Sequence, residues 1–178
     1  FDGVLADSAE KTITLSDSVA RAFGSTIPMT RELMSTLMDM SIPGGGRAMG
    51  VPEDRLADFE TALIKEYENA TWDYEIFPGL GDVLKSLGES HILGVVTNNS
   101  EILVRRFTEH NGLNGCFQII SSQETGGRKS ARIIKAAAEC SMSLEHTFMV
   151  GDSASDILEA KLAGCGSIAV GWGFQRLE

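Results

Sequence analysis

Hydrophobic and polar positions alternate in two distinct textures along this chain. Between about residues 8 and 71 the apolar positions recur at helical spacing and β-rich runs are scarce. Ser8 is placed to cap a helix over 9–23, Thr30 to cap another over 31–40, and Pro52 to open a third reaching about residue 70. Between the last two lies Ile42-Pro43-Gly44-Gly45-Gly46-Arg47. Three consecutive glycines behind a proline predict a flexible loop there. From Phe77 onward, short apolar β-rich runs appear at 91–97, 117–121, 147–151 and 167–170. Segments of helical spacing separate them, at 101–111, 131–140 and 157–163. Strand–helix–strand alternation with buried apolar strands predicts parallel pairing through crossover helices. The expected fold is therefore α/β, a doubly wound parallel sheet with an all-helical insert near its front. The predicted boundaries are 1–11 with 76–178 for the core and 12–75 for the insert.

Composition narrows the partners. Fifteen Lys and Arg against 25 Asp and Glu leave a formal charge of −10 over 178 residues. A nucleic-acid surface needs a basic stripe to replace phosphate counterions, and none is present. Apolar runs such as residues 92–96 fall far short of the roughly 20 residues that span a bilayer. No basic segment followed by an apolar block opens the sequence. Cys116, Cys140 and Cys165 are widely spaced and suggest neither a zinc site nor a disulfide framework. The expectation is a cytoplasmic protein that engages neither nucleic acid nor membrane. Its oligomeric state is not legible.

Ligands of open α/β sheets bind beyond the carboxyl ends of the strands. Those ends, read in order, supply carboxylates, a hydroxyl, an amide and an ammonium. Asp2 and Asp7 lie in the opening segment, Thr97, Asn98 and Asn99 follow the first clear strand, Lys129 opens a later helix, and Asp152 and Asp156 follow the third strand. Such carboxylates suit a hard cation such as Mg²⁺, while Lys129, the Thr97 hydroxyl and N–H groups at helix starts suit a phosphate. Taken singly, each element has an ordinary structural use. Gly151-Asp152-Ser153 also makes a turn with an N-cap, and Lys129 also makes a solvated lysine. Their order along one sheet edge is what points to phosphoryl transfer.

Asp2-Gly3-Val4-Leu5-Ala6-Asp7-Ser8, then Val96-Thr97-Asn98, then Lys129, then Gly151-Asp152-Ser153-Ala154-Ser155-Asp156-Ile157 resemble the four motifs of the haloacid dehalogenase (HAD) superfamily. Pro78-Gly79 and Ala169-Val170-Gly171-Trp172-Gly173-Phe174 are similar to its phosphoglycolate phosphatase group, and the insert matches that group's helical cap. The resemblance implies a Mg²⁺-dependent phosphatase acting on a small phosphorylated metabolite through an aspartyl-phosphate. It casts Asp2 as general acid and base, with its backbone carbonyl on the metal. Thr97 and Asn98 become phosphate-holding groups, and Lys129 neutralises developing charge. Asp152 becomes a metal ligand, and Asp156 orients the metal's water shell.

The resemblance departs in two places. The attacking Asp of the motif falls immediately ahead of Phe1, as does the apolar strand leading to it, so a fragment of a longer reading frame is expected. Leu177-Glu178 reads as a cloning scar. After Lys129, where the family usually has proline at the next position and again two residues on, the chain has Ser130-Ala131-Arg132. Arg128 is then a rival for the lysine's role.

Asp2 argues against dehalogenation, because dehalogenases lack an acid at that position. The absence of lysine from residues 12–64 argues against a Schiff-base phosphonatase. The order Lys129 before Asp152 argues against a receiver domain. A sugar-phosphate mutase and a non-catalytic binding protein of the same family remain as alternatives. Arg47, beside the triple glycine, is the candidate contact to a second anionic group of the substrate.

Overall fold

The computed structural model describes residues 1–37, 41–70 and 74–175. The end of the helix expected over 31–40 and Leu177-Glu178 lie outside these residues. The chain divides into two compact units, one of Phe1–Asp7 with Trp72–Glu178 and the other of Ser8–Thr71.

The second unit is helical: α1 (Ala9–Ala22), α2 (Arg31–Leu37), α3 (Ile42–Ala48) and α4 (Leu56–Ala70), with a 3₁₀ turn at Glu53–Arg55 behind Pro52. Thr30 caps α2 by accepting the Leu33 N–H at 3.1 Å. Ser8 stands at the N-cap of α1, but its backbone is already helical (φ −100°, ψ −7°) and its hydroxyl makes no capping bond. A capping hydroxyl needs an extended N-cap backbone to reach back to the first turn.

The loop expected at residues 42–47 is instead helix α3. Ser41 caps it by accepting the Gly44 N–H, and Pro43 occupies its first turn, where a missing N–H costs nothing. Glycine is here a packing residue. Gly45 and Gly46 are buried, and a Cβ on Gly46 would meet Leu56 Cδ2 at 2.8 Å and Phe59 Cε1 at 2.9 Å of α4. Close approach of two helices outweighs the poor intrinsic helix propensity of glycine. Gly46→Ala is accordingly expected to destabilise this unit by about 1–3 kcal/mol through overpacking, despite alanine's better propensity. Urea denaturation would read the loss; a stabilised variant would show that the contact yields.

The first unit carries α5 (Leu80–Gly88), β1 (Gly94–Val96), α6 (Glu101–His110), β2 (Ile119–Ser121), α7 (Lys129–Glu139), β3 (Phe148–Gly151), α8 (Ala154–Ala163) and β4 (Gly166–Ala169). β1 pairs in parallel with β2, Gly94 opposite Ile119, and β3 pairs in parallel with β4, Phe148 opposite Gly166. Each pair is joined through a helix, the βαβ arrangement that the alternating sequence predicts. The opening segment joins the unit through Ala6, which bridges Ile76, and through an Asp7 N–H that donates to Glu75 O at 2.9 Å. Asn111 secures the return of the chain. Its amide nitrogen donates to Tyr74 O and Phe107 O, and its amide oxygen accepts the Ile76 N–H, each at 3.0 Å.

Val4, Leu5, Ala6, Tyr74, Leu84, Val95, Val104, Phe107, Leu113 and Val170 form the core of this unit. The expectation of buried strands holds at Val95 but not in the second ladder, where Phe148 is 63% and Ile168 50% exposed. A parallel strand is buried when it has neighbours on both sides and layers on both faces. Among the described residues β3 has β4 alone as strand neighbour.

Candidate active site

The carboxyl ends of β1, β2 and β3 bring their polar groups together with the opening segment. Beyond β1, the Thr97 N–H extends the ladder by donating to Ser121 O at 2.9 Å. The Thr97 side chain is buried, and its hydroxyl oxygen accepts the Asn99 N–H at 3.1 Å, which folds 97–99 into a tight turn. Asn99 Nδ2 donates to Asp2 Oδ2 at 2.6 Å, joining this turn to the opening segment. Asp7 is exposed.

Lys129 is the first residue of α7, and its ammonium lies 2.5 Å from Asp156 Oδ1. The lysine side chain is 20% exposed and the carboxylate 8%. Burial alone pushes the Asp156 carboxyl up. The Lys129 charge and hydrogen bond, helped by the Ser153 hydroxyl, oppose it and hold the group below the usual carboxylate range. Ser153 caps α8 by accepting the Asp156 N–H at 3.1 Å. The N-cap reading of Gly151-Asp152-Ser153 and the carboxylate cluster therefore coexist, because the cap aims the first turn of α8.

Asp152 has the opposite balance. Burial raises its carboxyl, and Asp156 adds to the rise, against the Phe174 N–H donated to Oδ2 at 2.8 Å. Glycines make room for it: a Cβ on Gly3 or Gly173 would collide with this carboxylate. Gly3 also has φ +68°, a left-handed conformation that side chains resist. The Phe1 nitrogen is itself buried and lies near the charges of Asp2, Lys129, Asp156 and Asp152. The start of the opening segment thus lies among the carboxylates.

Arg128, the rival cation, turns elsewhere. Its guanidinium is 69% exposed and lies 2.7 Å from Glu159 Oε1. Glu159 also accepts the Ser130 N–H at 2.7 Å, and the two bonds lower its carboxyl to about 2. A carboxylate depressed in the folded state stabilises fully above its ordinary pKa, near 4.5, and ceases to do so as pH falls towards 2. Glu159→Gln should therefore flatten the decline of thermal stability between those pH values. The effect is expected at about 1–2 kcal/mol, because the exposed Arg128 is screened by solvent. An unchanged acid limb would dismiss the pairing.

Arg132 carries no signal in the pattern of the sequence beyond standing where the resemblance expects proline. It is only 4% exposed. Its Nη1 donates to the carbonyls of Thr97 and, at 2.8 Å, Ser122, and its Nη2 donates to Asn98 Oδ1. Burial lowers its pKa, with Glu159 opposing. Asn99, the partner of Asp2, was likewise visible in the sequence only as part of a strand-to-helix loop.

Arg47 stands on α3 in the helical unit. Its guanidinium pairs in bidentate fashion with Glu53, Nη2 to Oε1 at 2.6 Å and Nε to Oε2 at 2.8 Å, both side chains being exposed. Glu53 is held below, and Arg47 above, its ordinary pKa by this hydrogen bond.

The donor set suits a hard cation in kind. Asp152 is a buried carboxylate whose charged form is disfavoured, a cost that a bound cation offsets. Among the described residues, no group of three Asp, Glu, His or Cys side chains gathers closely enough to enclose a metal. Mg²⁺ generally keeps several waters and takes one or two carboxylates together with phosphate oxygens. No helix among the described residues is long and apolar enough to cross a membrane.

Comparison with known proteins agrees with this architecture. Residues 1–170 match the family described as haloacid dehalogenase-like hydrolase. The tyrosine-protein kinase PtkA of Mycobacterium tuberculosis is 27% identical over 186 aligned residues. That match covers 100% of this chain, and the chain spans 62% of the relative's length. The phosphoglycolate phosphatase of Synechococcus elongatus is 25% identical, over 98% of this chain and 82% of its own. A haloacid dehalogenase-like hydrolase from Streptococcus pneumoniae superposes with a TM-score of 0.86 at 20% identity, over 99% of this chain and 84% of its own. At that identity the superposition speaks for the fold alone. Motif order, the parallel α/β ladders and the match across most of the sequence converge: the chain belongs to the haloacid dehalogenase-like hydrolase family and resembles its phosphoglycolate phosphatases.

Proposed function

We propose that this chain carries the phosphoryl-transfer site of a Mg²⁺-dependent phosphatase acting on a small phosphorylated metabolite, a phosphoglycolate-like acid or a sugar phosphate. The observation that supports it best is the Lys129–Asp156 pair, 2.5 Å apart at the strand ends that also carry the buried Asp152. In this reading the attacking carboxylate belongs to an Asp bonded to the Phe1 nitrogen. Its oxygen attacks phosphorus while Asp2 gives a proton to the departing substrate oxygen, leaving an aspartyl-phosphate. Asp2 then takes a proton from water, the water oxygen bonds to phosphorus, and the acyl-phosphate bond breaks to return carboxylate and inorganic phosphate. Splitting hydrolysis in this way replaces one difficult displacement with two easier ones.

Little else is asked of the protein, because the transition state is loose and catalysis is mainly positioning and charge compensation. The Thr97 hydroxyl and the Asn98 main chain hold the phosphoryl oxygens, and Lys129 offsets their growing charge. Asp152 and the Asp2 carbonyl would hold Mg²⁺, with Asp156 orienting its waters; when bound, the ion neutralises phosphoryl charge as a Lewis acid. Asn99 keeps Asp2 in place through its 2.6 Å hydrogen bond.

The helical unit serves in this reading as a cap that excludes water and contacts the leaving group. Arg47 would meet a second anionic group of the substrate. Its pair with Glu53 is exposed, and exposed ion pairs are weak enough to exchange one anion for another. The protein would work in the cytoplasm.

The test is phosphate release from p-nitrophenyl phosphate and 2-phosphoglycolate, with Mg²⁺ and with EDTA. Residues 1–178 are compared with a chain carrying an apolar strand and Asp ahead of Phe1. Mg²⁺-dependent turnover confined to the extended chain is the expected result. A folded extended chain silent on both substrates would remove this reading, leaving a mutase, a narrower phosphatase or a binding role.

A further inference from the structure

We propose that Arg132 is a positioning residue for phosphate recognition: its buried guanidinium fixes the Thr97–Asn99 turn in the shape that receives the phosphoryl group. The inference rests on the phosphatase reading of this site and concerns a residue outside the four motifs.

Three acceptors on two strand ends converge on one side chain. Nη1 takes the carbonyls of Thr97 after β1 and Ser122 after β2, while Nη2 takes the side-chain oxygen of Asn98. The planar fork of a guanidinium can serve several acceptors at fixed angles, whereas the ammonium of lysine is a single point. Because Arg132 holds the Thr97 carbonyl, the Asn98 N–H of the same trans peptide points the opposite way. The same turn is closed by the Asn99 N–H on Thr97 Oγ1 at 3.1 Å. Arg132 thus supports from beneath the residues assigned to the phosphate.

Its charge matters too. All three acceptors are neutral oxygens, and among the described residues no carboxylate hydrogen-bonds the guanidinium. Glu159 raises the Arg132 pKa only as a nearby charge. A buried cation of this kind keeps its field and adds positive potential beneath the turn, within a protein whose formal charge is −10. The Nε–H is buried and finds no acceptor among the described residues. An unmet donor of this kind costs stability. The main chain also distinguishes this position from a proline: the Arg132 N–H donates to Arg128 O at 3.1 Å, a bond that a proline cannot make.

The experiment uses the full-length protein with p-nitrophenyl phosphate as substrate and inorganic phosphate as competing ligand. For Arg132→Lys, KM and the phosphate inhibition constant should both rise about ten-fold, with kcat changed much less. A merely structural role would lower the folded fraction, and so the apparent kcat, without moving KM or the inhibition constant. Asn98→Ala removes one acceptor from an exposed position and keeps the question open to test if Arg132→Lys does not fold. It should raise both constants, and combining it with Arg132→Lys should raise them by less than the product of the single effects. Unchanged constants in a folded Arg132→Lys, or independent effects in the double variant, overturn the proposal. If Arg132→Lys does not fold, unchanged constants in Asn98→Ala overturn it. If wild-type protein neither turns over the ester nor binds phosphate, the phosphatase reading itself has failed, and the positioning role falls with it.

Discussion

Lys129→Ala should lower kcat/KM for p-nitrophenyl phosphate by about 10²–10³-fold in the full-length protein, the loss that follows removal of one preorganised charge-stabilising donor. It should also destabilise the fold. Asp156 is 8% exposed, and its depressed pKa owes most to the charge and hydrogen bond of Lys129. Without the lysine the burial effect is less opposed and the carboxyl moves upward. Removing one partner of a buried pair typically costs about 3–5 kcal/mol, and the 20% exposure of Lys129 places the expected loss at or below the lower end. The pH dependence has a definite sign. A carboxylate held below its ordinary pKa contributes stability above that value and loses the contribution as pH falls through the depressed one. The acid limb of thermal stability should therefore flatten in Lys129→Ala. Arg128→Ala, which removes a cation paired with Glu159 instead, should leave kcat/KM within about three-fold of wild type, as expected for a surface charge away from the chemistry. Equal kinetic losses in the two variants would show that the assignment of cations is wrong.

Asp152→Asn is expected to separate activity from stability. Its carboxyl is pushed up first by burial and then by the charge of Asp156, so at neutral pH the ionised form is an expense to the fold. Asparagine retains an oxygen to accept the Phe174 N–H and removes the charge. The thermal midpoint at pH 7 should hold or rise. Mg²⁺-dependent turnover should fall by about 10²–10³-fold, with the concentration of Mg²⁺ needed for half-maximal activity displaced upward. The wild-type advantage runs opposite to that of Asp156. A carboxyl raised in the folded state gains stability as pH falls through its pKa, so the variant's stability gain should shrink towards acid. A variant that loses stability as well as activity would mean that Asp152 is a structural acceptor and not a metal-facing group. Stability and function commonly oppose each other where a site concentrates like charge.

The alternation of apolar runs with helical spacing locates the four strands of the described residues to within a few positions, because burial periodicity is written locally. The polar residues at the strand ends were legible for a related reason. A parallel α/β unit sends every strand in one direction, so motifs that follow strands collect on one edge. The triple glycine misled because glycine's weak propensity is also local, while its advantage at Gly46 depends on Leu56 and Phe59 of another helix.

What the sequence by itself determined was the class of fold and the order of the carboxylates, hydroxyl and ammonium along it, through periodicity, capping residues and motif spacing. Only the tertiary structure decided which charge meets which. Lys129 goes to Asp156, 27 positions away, and Arg128 to Glu159, 31 away. Arg132 turns inward to Thr97, 35 positions back, instead of outward to solvent. A cation three positions along a helix changes its direction by about 300°. The destination of each head group is then set by where neighbouring strands and helices place their acceptors and how much water they exclude, which no local run of residues encodes.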